Sequence, residues 1–440
     1  MGNVRVAATR LIGDAVVTCD RAGTVHRPGA IDVESGRIAY VGHPDGVPLP
    51  DGADEQRYEG VLLPGLVNVH CHSAMTLFRG AAEDVALDRF LREILWPREA
   101  LLTEEDVYWG MTLAAAELLR AGVTTTCEMY VHEAAILQAV VDAGSRCVLT
   151  PGVIDVPGWL SWKQRLQDVV RFVDAEAGRH DRVTLGIAAH SAYALPLEGL
   201  DAVASTARER DLLVHIHVAE THAEDAELRR AHGKSVPALL AERGFLDERV
   251  LAAHSVWLSN HDLELYRHHD VAVAHCPQSN AKLAGGTARL SKMLELGLRV
   301  GLGTDGPSSN NDLDLWEELR LAPLLARLQT GDPAAVPAET ALRLATASGA
   351  AALGSDEIGV LESGRLADIV HLRTDDPVFV PTLSDRDLVS HLVWSASSRL
   401  VENVWIAGKR VVKDGRCITV DVQRALDEVQ ARAERLAVAS

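Results

Sequence analysis

Short apolar runs alternate with longer segments of helical periodicity from about residue 61 to residue 306. A short apolar run rich in β-branched residues predicts a buried strand, and apolar positions three and four residues apart predict a helix. The eight runs are GLVNVHCH, GVTTTCEMY, SRCVLTPGVID, RVTLGIAAH, LLVHIHVAE, VLAAHS, VAVAHCP and RVGLGTD. Eight such alternations without a glycine-rich phosphate fingerprint predict an α/β fold, a (β/α)8 barrel of the TIM type, rather than an open sheet.

The two ends of the chain show a different pattern, short alternating runs separated by turn residues. We expect both ends to combine into one small β-sandwich beside the barrel. Residues 312–354 are predicted to be helical and to close the barrel, and residues 420–439 to form an amphipathic tail helix. The predicted segments are 1–60 for the N-terminal part of the sandwich, 61–364 for the barrel, and 365–440 for the C-terminal part with its tail helix.

Composition and charge narrow the function. A formal net charge of −19 argues against nucleic acid as a partner, because binding phosphates requires clustered Lys and Arg. No apolar run has transmembrane length and no signal peptide is recognisable, which predicts no membrane association. The 6 cysteines form no CxxC pair, which favours a reducing, cytoplasmic location. The oligomeric state stays open, a homo-oligomer included.

Polar side chains fall late in the predicted strands. They are His70 and His72 in the first strand, His190 in the fourth, His217 and Glu220 at the fifth, His254 in the sixth, His275 in the seventh and Asp305 in the eighth. In a (β/α)8 barrel these positions surround one funnel, where active sites are built. Scattered core histidines would not all choose the same end of the barrel. The pattern therefore predicts one functional site.

The residue types indicate metal chemistry at that site. His70, His72, His217 and Asp305 offer three nitrogens and one carboxylate, a set suited to one divalent ion, Zn²⁺ or Fe²⁺. Glu220 is near the ligands and can shuttle protons, or it can be a capping acid of the next helix. His254 can orient the attacking water, or only hydrogen-bond a ligand. His275 is left as a structural or supporting residue.

Several absences narrow the chemistry further. The strand runs offer no lysine to bridge two metals, which favours one ion per chain. No H-x-E motif with P-C-x-x-C is present, as zinc deaminases of nucleic acids would require. No G-x-S-x-G elbow supports a serine hydrolase.

Five motifs carry a family resemblance: PGLVNVHCHSAMTLFRG, HVAETHAE, AAHSVWLS, HCPQSNAKL and LGTDGPSSNN. The sequence resembles the amidohydrolase superfamily, and within it the branch of 5-methylthioadenosine/S-adenosylhomocysteine deaminases and related chlorohydrolases. The resemblance covers nearly the whole chain. It implies metal ligands at His70, His72, His217 and Asp305, an acid/base at Glu220, and a histidine that contacts the hydrolytic water at His254.

The resemblance also implies two substrate contacts. Glu99, in LWPRE, matches a glutamate that holds the ribose hydroxyls, with an ordinary exposed helix acid as the alternative. His190, in AAHSAY, matches a histidine that contacts the purine, with a packing role as the alternative. Glu220 and Asp305 would contact the reacting base as well.

One departure concerns the 5′ group. Family members that accept S-adenosylhomocysteine have an arginine after the third strand, where this chain has Pro151. The following loop adds Trp159 and Trp162, which favours an apolar or aromatic 5′ substituent. The predicted function is hydrolytic deamination of the 6-amino group of an adenine nucleoside, such as methylthioadenosine or aminodeoxyfutalosine. The rivals are deamination or dechlorination of a guanine, pterin or triazine, and a catalytically inactive metal-binding protein.

Overall fold

The protein is described by a computed structural model that covers residues 8–49, 52–81 and 83–438. Residues 1–7, 50, 51, 82, 439 and 440, which belong to the predicted segments, lie outside the described residues. The strands form two sheets, one for the barrel and one for a smaller unit beside it.

The larger sheet is the predicted barrel, with eight parallel strands in sequence order. Its strands are β6 (Leu66–Cys71), β7 (Val123–Tyr130), β8 (Arg146–Val153), β9 (Val183–Ser191), β10 (Leu213–Val218), β11 (Val250–His254), β12 (Ala272–His275) and β13 (Val300–Leu302). All eight predicted strands are present and parallel, so the predicted (β/α)8 fold is confirmed.

The barrel closes where its last strand meets its first. The Asp305 amide donates to the His70 carbonyl over 3.0 Å, and Cys71 and Asp305 form a parallel bridge. A Cβ at Gly303 would lie 2.8 Å from the Cβ of His70, so only glycine allows this approach. The eighth strand ends at Leu302, earlier than its apolar run indicates, and the backbone adopts a left-handed φ of +60° at Asp305.

The smaller sheet draws on both chain ends, as predicted. Its strands are β1 (Thr9–Val17), β2 (Val25–His26), β3 (Gly29–Glu34), β4 (Arg37–Gly42), β5 (Asp54–Pro64), β14 (Ile369–Leu372), β15 (Val401–Ile406), β16 (Lys409–Lys413) and β17 (Arg416–Cys417). Hydrogen bonds join them into one continuous mixed sheet, and its hydrophobic cluster includes Leu11, Ile38 and Trp405. Strand β5 runs across residue 60, the expected border of the barrel segment.

Helices follow the strands of the barrel and pack around it. They are α1 (Leu87–Arg89), α2 (Trp96–Glu99), α3 (Glu104–Arg120), α4 (Glu133–Ala143), α5 (Trp162–Glu176), α6 (Leu197–Arg210), α7 (His222–His232), α8 (Val236–Glu242), α9 (Asn260–His268), α10 (Pro277–Lys282), α11 (Leu290–Glu295), α12 (Leu315–Thr330), α13 (Ala338–Leu344), α14 (Ala347–Ala352), α15 (Asp385–Trp394) and α16 (Val422–Val438). A π-helix, Phe90–Leu95, joins α1 to α2. Short 3₁₀ helices lie at Pro44–Gly46, Ser73–Phe78, Phe245–Asp247, Pro377–Phe379 and Ser398–Leu400.

The helices after β13 serve the barrel as predicted. The Val67 amide donates to the Ala345 carbonyl, and α14 packs against Val67 and Val69 inside the barrel. The tail helix α16 lies on α3, where Arg435 donates to Asp106 over 2.5 Å. In the described part of the chain, every helix is too short or too polar to cross a bilayer.

Candidate active site

The predicted site residues lie at the carboxyl-terminal edge of the barrel. His70, His190 and His217 are the second-to-last residues of β6, β9 and β10. His254 and His275 are the last residues of β11 and β12. His72, Glu220 and Asp305 follow the ends of β6, β10 and β13. The ends of parallel strands meet at one edge, so strand position alone brings these side chains into one funnel.

Four of them converge on one point. His72 Nε2 lies 3.2 Å from His217 Nε2 and 3.3 Å from Asp305 Oδ1. His70 Nε2 lies 3.4 Å from the same carboxylate oxygen. All four side chains are buried. The proposed metal ligands are therefore brought together by the fold.

Hydrogen bonds at Nδ1 fix the ring orientation of His72 and His217. His72 Nδ1 donates to the carbonyl of Met129, and His217 Nδ1 donates to the carbonyl of His190 over 2.7 Å. A carbonyl oxygen can only accept, so the proton of each neutral ring sits on Nδ1. Each Nε2 then presents a lone pair to the centre of the site.

A chain of three hydrogen bonds places the proton of His70 on Nδ1 as well. Thr150 Oγ1 donates to the carbonyl of Glu128 over 2.7 Å, so it accepts from His215 Nδ1 at 3.1 Å. His215 Nε2 is then an acceptor, and it receives the Nδ1 proton of His70 over 2.9 Å. His70 Nε2 is left with a lone pair, and it is buried without a hydrogen-bond partner among the described residues.

This donor set fits a divalent metal ion. Burial lowers the pKa of His70 to about 4 and lowers that of His217 well below its usual value, so both rings are neutral at pH 7. Nδ1 of His72 and Nδ1 of His217 both donate to carbonyls, and the Nε2 atoms of these two rings lie 3.2 Å apart next to the Asp305 carboxylate. Such a contact is repulsive unless a cation lies between the atoms.

Further polar groups hold Asp305 in place. Ser279 and Ser309 donate to its Oδ2 over 2.6 Å and 2.9 Å, and the Gly306 amide donates to Oδ1 over 2.8 Å. The carboxylate is therefore oriented from three sides. Hydrogen bonds of this kind stabilise the charged form of a carboxyl group.

Glu220 and His254 stand beside this cluster. His254 Nδ1 donates to Asn280 Oδ1 over 2.9 Å, and its Nε2 lies 3.8 Å from Glu220 Oε2 and 4.0 Å from Asp305 Oδ2. Burial raises the pKa of Glu220 well above its usual range, and the charge of Asp305 acts in the same direction. Glu220 thus suits a group that holds a proton at neutral pH.

The loop that carries Glu220 is braced by a second acid. Glu224 accepts from the backbone amides of Ala219 and Glu220 over 3.2 Å and 2.8 Å. Ala219 has φ +48°, a strained value for a residue with a side chain. The brace fixes the backbone that aims Glu220 at the cavity.

A cavity opens directly above the cluster, with a mostly apolar wall formed in part by Phe90, Leu95, Trp96 and Trp159. Glu99 lines it and is buried, so the alternative of an exposed helix acid is wrong. Tyr130 Oη donates to Glu99 Oε1 over 2.6 Å, and burial raises the pKa of Glu99 to about 7.

His190 lies between the cluster and this cavity. Its ring lies 4.7 Å from that of His217 and 6.0 Å from that of Trp96, centroid to centroid. Burial is the main reason that its pKa falls to about 3, so the ring is neutral. His190 Nδ1 is hydrogen-bonded to Ser191 Oγ at 3.1 Å, so Nε2 is the ring nitrogen left to contact a base.

Other predicted residues lie elsewhere. His275 is buried at the end of β12 and does not line the cavity, in keeping with a structural role. Trp159 lines the cavity and its indole donates to the Trp96 carbonyl over 3.2 Å. Trp162 instead packs against the hydrophobic core, with Lys163 Nζ 5.2 Å from its ring centroid. Of the two tryptophans that were expected to contact the 5′ group, only Trp159 lines the cavity.

Sequence reasoning missed the supporting residues. His215 stands two positions before His217 in LLVHIHVAE, so strand alternation places both rings inside the barrel and could have identified it. Glu224 lies three residues after Thr221, whose side chain accepts from its amide, a spacing typical of a helix start. Thr150, Ser279 and Asn280 carry no comparable signal, because their partners are distant in sequence.

Comparison with known proteins agrees with this site. A model of the amidohydrolase family matches residues 61–411. The chain is 41% identical to a 5-methylthioadenosine/S-adenosylhomocysteine deaminase of Desulforudis audaxviator, over 93% of this chain and 95% of the relative. It is 40% identical to a 5′-deoxyadenosine deaminase of Methanosarcina mazei, over 96% of each chain.

A solved structure extends the comparison to the fold. The crystal structure of an adenosine deaminase from Xanthomonas campestris with bound zinc superposes with a TM-score of 0.94. It is 30% identical, over 98% of this chain and 99% of that one. The predicted family resemblance is confirmed, and the chain belongs to the amidohydrolase family.

Proposed function

We propose that this protein is a metal-dependent hydrolase that deaminates adenine nucleosides with a neutral 5′ substituent. The observation that carries the proposal is the convergence of three Nε2 lone pairs and the Asp305 carboxylate beneath a cavity that holds Glu99. The named activities of the relatives at about 40% identity agree with it.

His70, His72, His217 and Asp305 would hold the metal, one ion per chain. Zinc is the proposed metal because the donors suit it and because the Xanthomonas campestris relative has bound zinc. When bound, such an ion supplies Lewis acidity that lowers the pKa of water toward neutrality.

Glu220 and His254 would handle the protons of the reaction. Water adds at carbon 6 of the base, and Glu220, protonated at neutral pH, delivers a proton to nitrogen 1. Asp305 and His254 accept the water's proton, because Asp305 Oδ2 and His254 Nε2 lie 4.0 Å apart on one side of the site. The proton held by Asp305 and His254 then passes to the amino group, which leaves as ammonia, and the hydroxyl on carbon 6 returns a proton to Glu220, so that the base keeps the oxygen as a 6-oxo product.

Glu99 and His190 would hold the substrate. The Glu99 carboxylate can accept from both ribose hydroxyls, with Tyr130 fixing its other side. His190 would hydrogen-bond the purine, whose faces meet the apolar wall. A buried acceptor that pairs with ribose favours a nucleoside over a free base such as guanine, a pterin or a triazine.

The finer predictions extend this proposal. Methylthioadenosine and 5′-deoxyadenosine fit an apolar wall, and aminodeoxyfutalosine stays a prediction that rests on Trp159. The six free, buried cysteines agree with the predicted cytoplasmic location, which also stays a prediction. The expectation of no nucleic-acid partner and no membrane partner stays a prediction, and the oligomeric state stays open.

Ammonia release from a substrate panel tests the proposal. The panel comprises 5′-deoxyadenosine, methylthioadenosine, aminodeoxyfutalosine, adenosine, S-adenosylhomocysteine, guanine and a triazine, and the measurement is kcat/KM. We expect the nucleosides with neutral 5′ groups to lead. A preference for guanine or the triazine would overturn the nucleoside assignment, and no turnover of any substrate by zinc-loaded protein would favour the inactive metal-binding alternative.

A further inference from the structure

Two serines on separate segments donate to the same oxygen of Asp305. Ser279 belongs to α10, which follows β12, and Ser309 belongs to the loop after β13; their hydroxyls lie 2.6 Å and 2.9 Å from Asp305 Oδ2. This oxygen also faces His254 Nε2 at 4.0 Å, and His254 is held in turn by Asn280 of α10. The relative position of the two segments therefore sets the geometry of Asp305 and His254, the pair assigned to the water's proton.

One carboxyl group that does not line the catalytic cavity links these two segments. Glu318 lies on α12 and is fully buried. Its Oε2 accepts from the backbone amide of Gln278 over 3.0 Å, and its Oε1 accepts from Asn310 Nδ2 over 2.8 Å. Gln278 directly precedes Ser279, and Asn310 directly follows Ser309. A single side chain therefore holds the neighbours of both serines.

The helix that carries Glu318 is a firm support. Leu315 and Trp316 of α12 are buried in the main hydrophobic core, and the Trp316 indole donates to the Ala121 carbonyl over 2.9 Å. By contrast, α10 has only 6 residues, and turns and bends make up residues 307–312. Short elements of this kind depend on tertiary contacts for a fixed position, so α12 supplies the support for both segments.

The contacts of Glu318 suit a positioning role. Both partners of its carboxyl group are neutral N–H groups, and burial raises the pKa of Glu318 well above the usual range. Burying an acid among neutral groups costs free energy that an apolar side chain would not. Asn310 also donates to the Thr304 carbonyl over 2.8 Å, so the contact extends to the residues just after β13. The distinctive contribution of Glu318 is two acceptor oxygens that face two donors, which an amide at this position could not supply.

We propose that Glu318 is a positioning residue for proton transfer: by holding α10 and the loop after β13 in a fixed relative position, it keeps Asp305 Oδ2 and His254 Nε2 where they can pass the water's proton to the leaving amino group. The proton leaves the water as its oxygen bonds to carbon 6, and it reaches the amino nitrogen as the carbon–nitrogen bond breaks and ammonia departs. The inference rests on the proposed deamination of adenine nucleosides and adds a residue on which its proton transfer depends.

A change of leaving group isolates this proton. The amino group must gain a proton to leave as ammonia, whereas a chlorine at carbon 6 leaves as chloride, and the water's proton then passes to solvent. The two probes are 5′-deoxyadenosine and its 6-chloro analogue, 6-chloro-9-(5-deoxy-β-D-ribofuranosyl)purine, and both give 5′-deoxyinosine. The measurement is the amino-to-chloro ratio, which is kcat for 5′-deoxyadenosine divided by kcat for the chloro analogue. Both values come from one preparation of zinc-loaded enzyme, so differences in folding or metal content cancel.

Glu318→Gln should lower the amino-to-chloro ratio by about tenfold or more, because one of the two acceptors becomes a donor that faces a donor and the segments lose their common support. The KM for 5′-deoxyadenosine should change by less than about twofold, since the ribose and base contacts are untouched. Glu318→Leu, which lacks both acceptors, should lower the ratio further. Glu317→Gln is the matched control: it removes the exposed carboxylate next to Glu318 on the same helix, and the ratio should stay within about twofold of wild type.

Asn310→Ala tests the same contact from its other end. Alone, it should lower the ratio, because the loop after β13 loses its support from Glu318. Combined with Glu318→Gln, it should lower the ratio by less than the product of the two single effects, because the donor no longer faces a donor and the amide oxygen can still accept from Gln278. A fall by the full product would show that the two residues act independently, and it would overturn their shared role.

The outcomes separate this inference from the proposed function. If Glu318→Gln lowers the release of ammonia and of chloride equally, Glu318 has only a structural role; the inference is overturned and the deaminase remains. An equal fall of the ratio in Glu317→Gln would overturn it as well, because the effect would then come from charge rather than from the two contacts. If the wild-type enzyme deaminates neither 5′-deoxyadenosine nor any other nucleoside, the proposed function itself fails.

Discussion

The floor and the mouth of the candidate active site are built in different ways. The floor, defined as His70, His72, His217, His254 and Asp305, consists of strand ends and the residues directly after them. The mouth, defined as Phe90, Trp96, Glu99, Trp159 and Arg165, comes from short helices, a loop and the first turn of α5. Buried hydrogen bonds to surrounding residues hold the floor residues in place, whereas mouth residues face two cavities, the one above the metal-ligand cluster and a second one beside it. We infer that the floor residues support the chemical reaction and that the mouth residues select the substrate.

Removing the metal should have the largest effect. Dialysis against a chelator should abolish turnover of every substrate, because the floor then lacks its Lewis acid, and about one equivalent of zinc per chain should restore it. Elemental analysis and ammonia release are measured on the same samples. Full activity in metal-free protein, or a need for two equivalents, would contradict the assignment of the floor.

Glu220→Gln should come next. Turnover should fall by about 10² or more for all nucleosides alike, because a proton donor is lost at the reacting ring. The metal content should match wild type, since Glu220 is not assigned as a ligand. Near-normal turnover, or a loss confined to one substrate, would show that Glu220 is not the proton donor of the reaction.

Thr150→Val tests the hydrogen-bond chain behind His70. Without the Thr150 hydroxyl, His215 loses the acceptor that fixes its proton, and both ring states of His70 become accessible. Metal affinity should fall by about tenfold or more, as for other residues that orient a ligand. Thr150→Ser, which keeps the hydroxyl, is the control, and competition with a zinc chelator is the measurement. Equal losses in both variants would indicate a packing effect instead.

The smallest expected effect concerns Glu99 and pH. Its pKa of about 7 means that the carboxylate is formed above pH 7 and is lost as the pH falls through that value. The ratio of kcat/KM for 2′-,3′-hydroxylated over 2′,3′-dideoxy substrate should therefore decline below about pH 7, by up to tenfold per pH unit. In Glu99→Gln the ratio should be low and independent of pH. A flat ratio in the wild-type enzyme would remove Glu99 from ribose binding.

The same division explains what the sequence could predict. The eight strands and the floor residues follow from a local rule, since a polar residue at the end of an apolar run must lie at the barrel edge. The ring orientation of His70 depends on Thr150 and the backbone of Glu128, which no local pattern links to it. The pairing of Arg165 with Glu133 and the inward position of Trp159 rather than Trp162 likewise depend on how loops pack.

The contact between Asp305 and the His70 backbone gives the chain an order of assembly. More than half of the sequence lies between these two residues, yet the amide of one closes the barrel on the carbonyl of the other. During synthesis, the first two histidines of the cluster leave the ribosome long before the carboxylate that faces them. The metal site and the closed barrel must therefore be completed by the same late folding event.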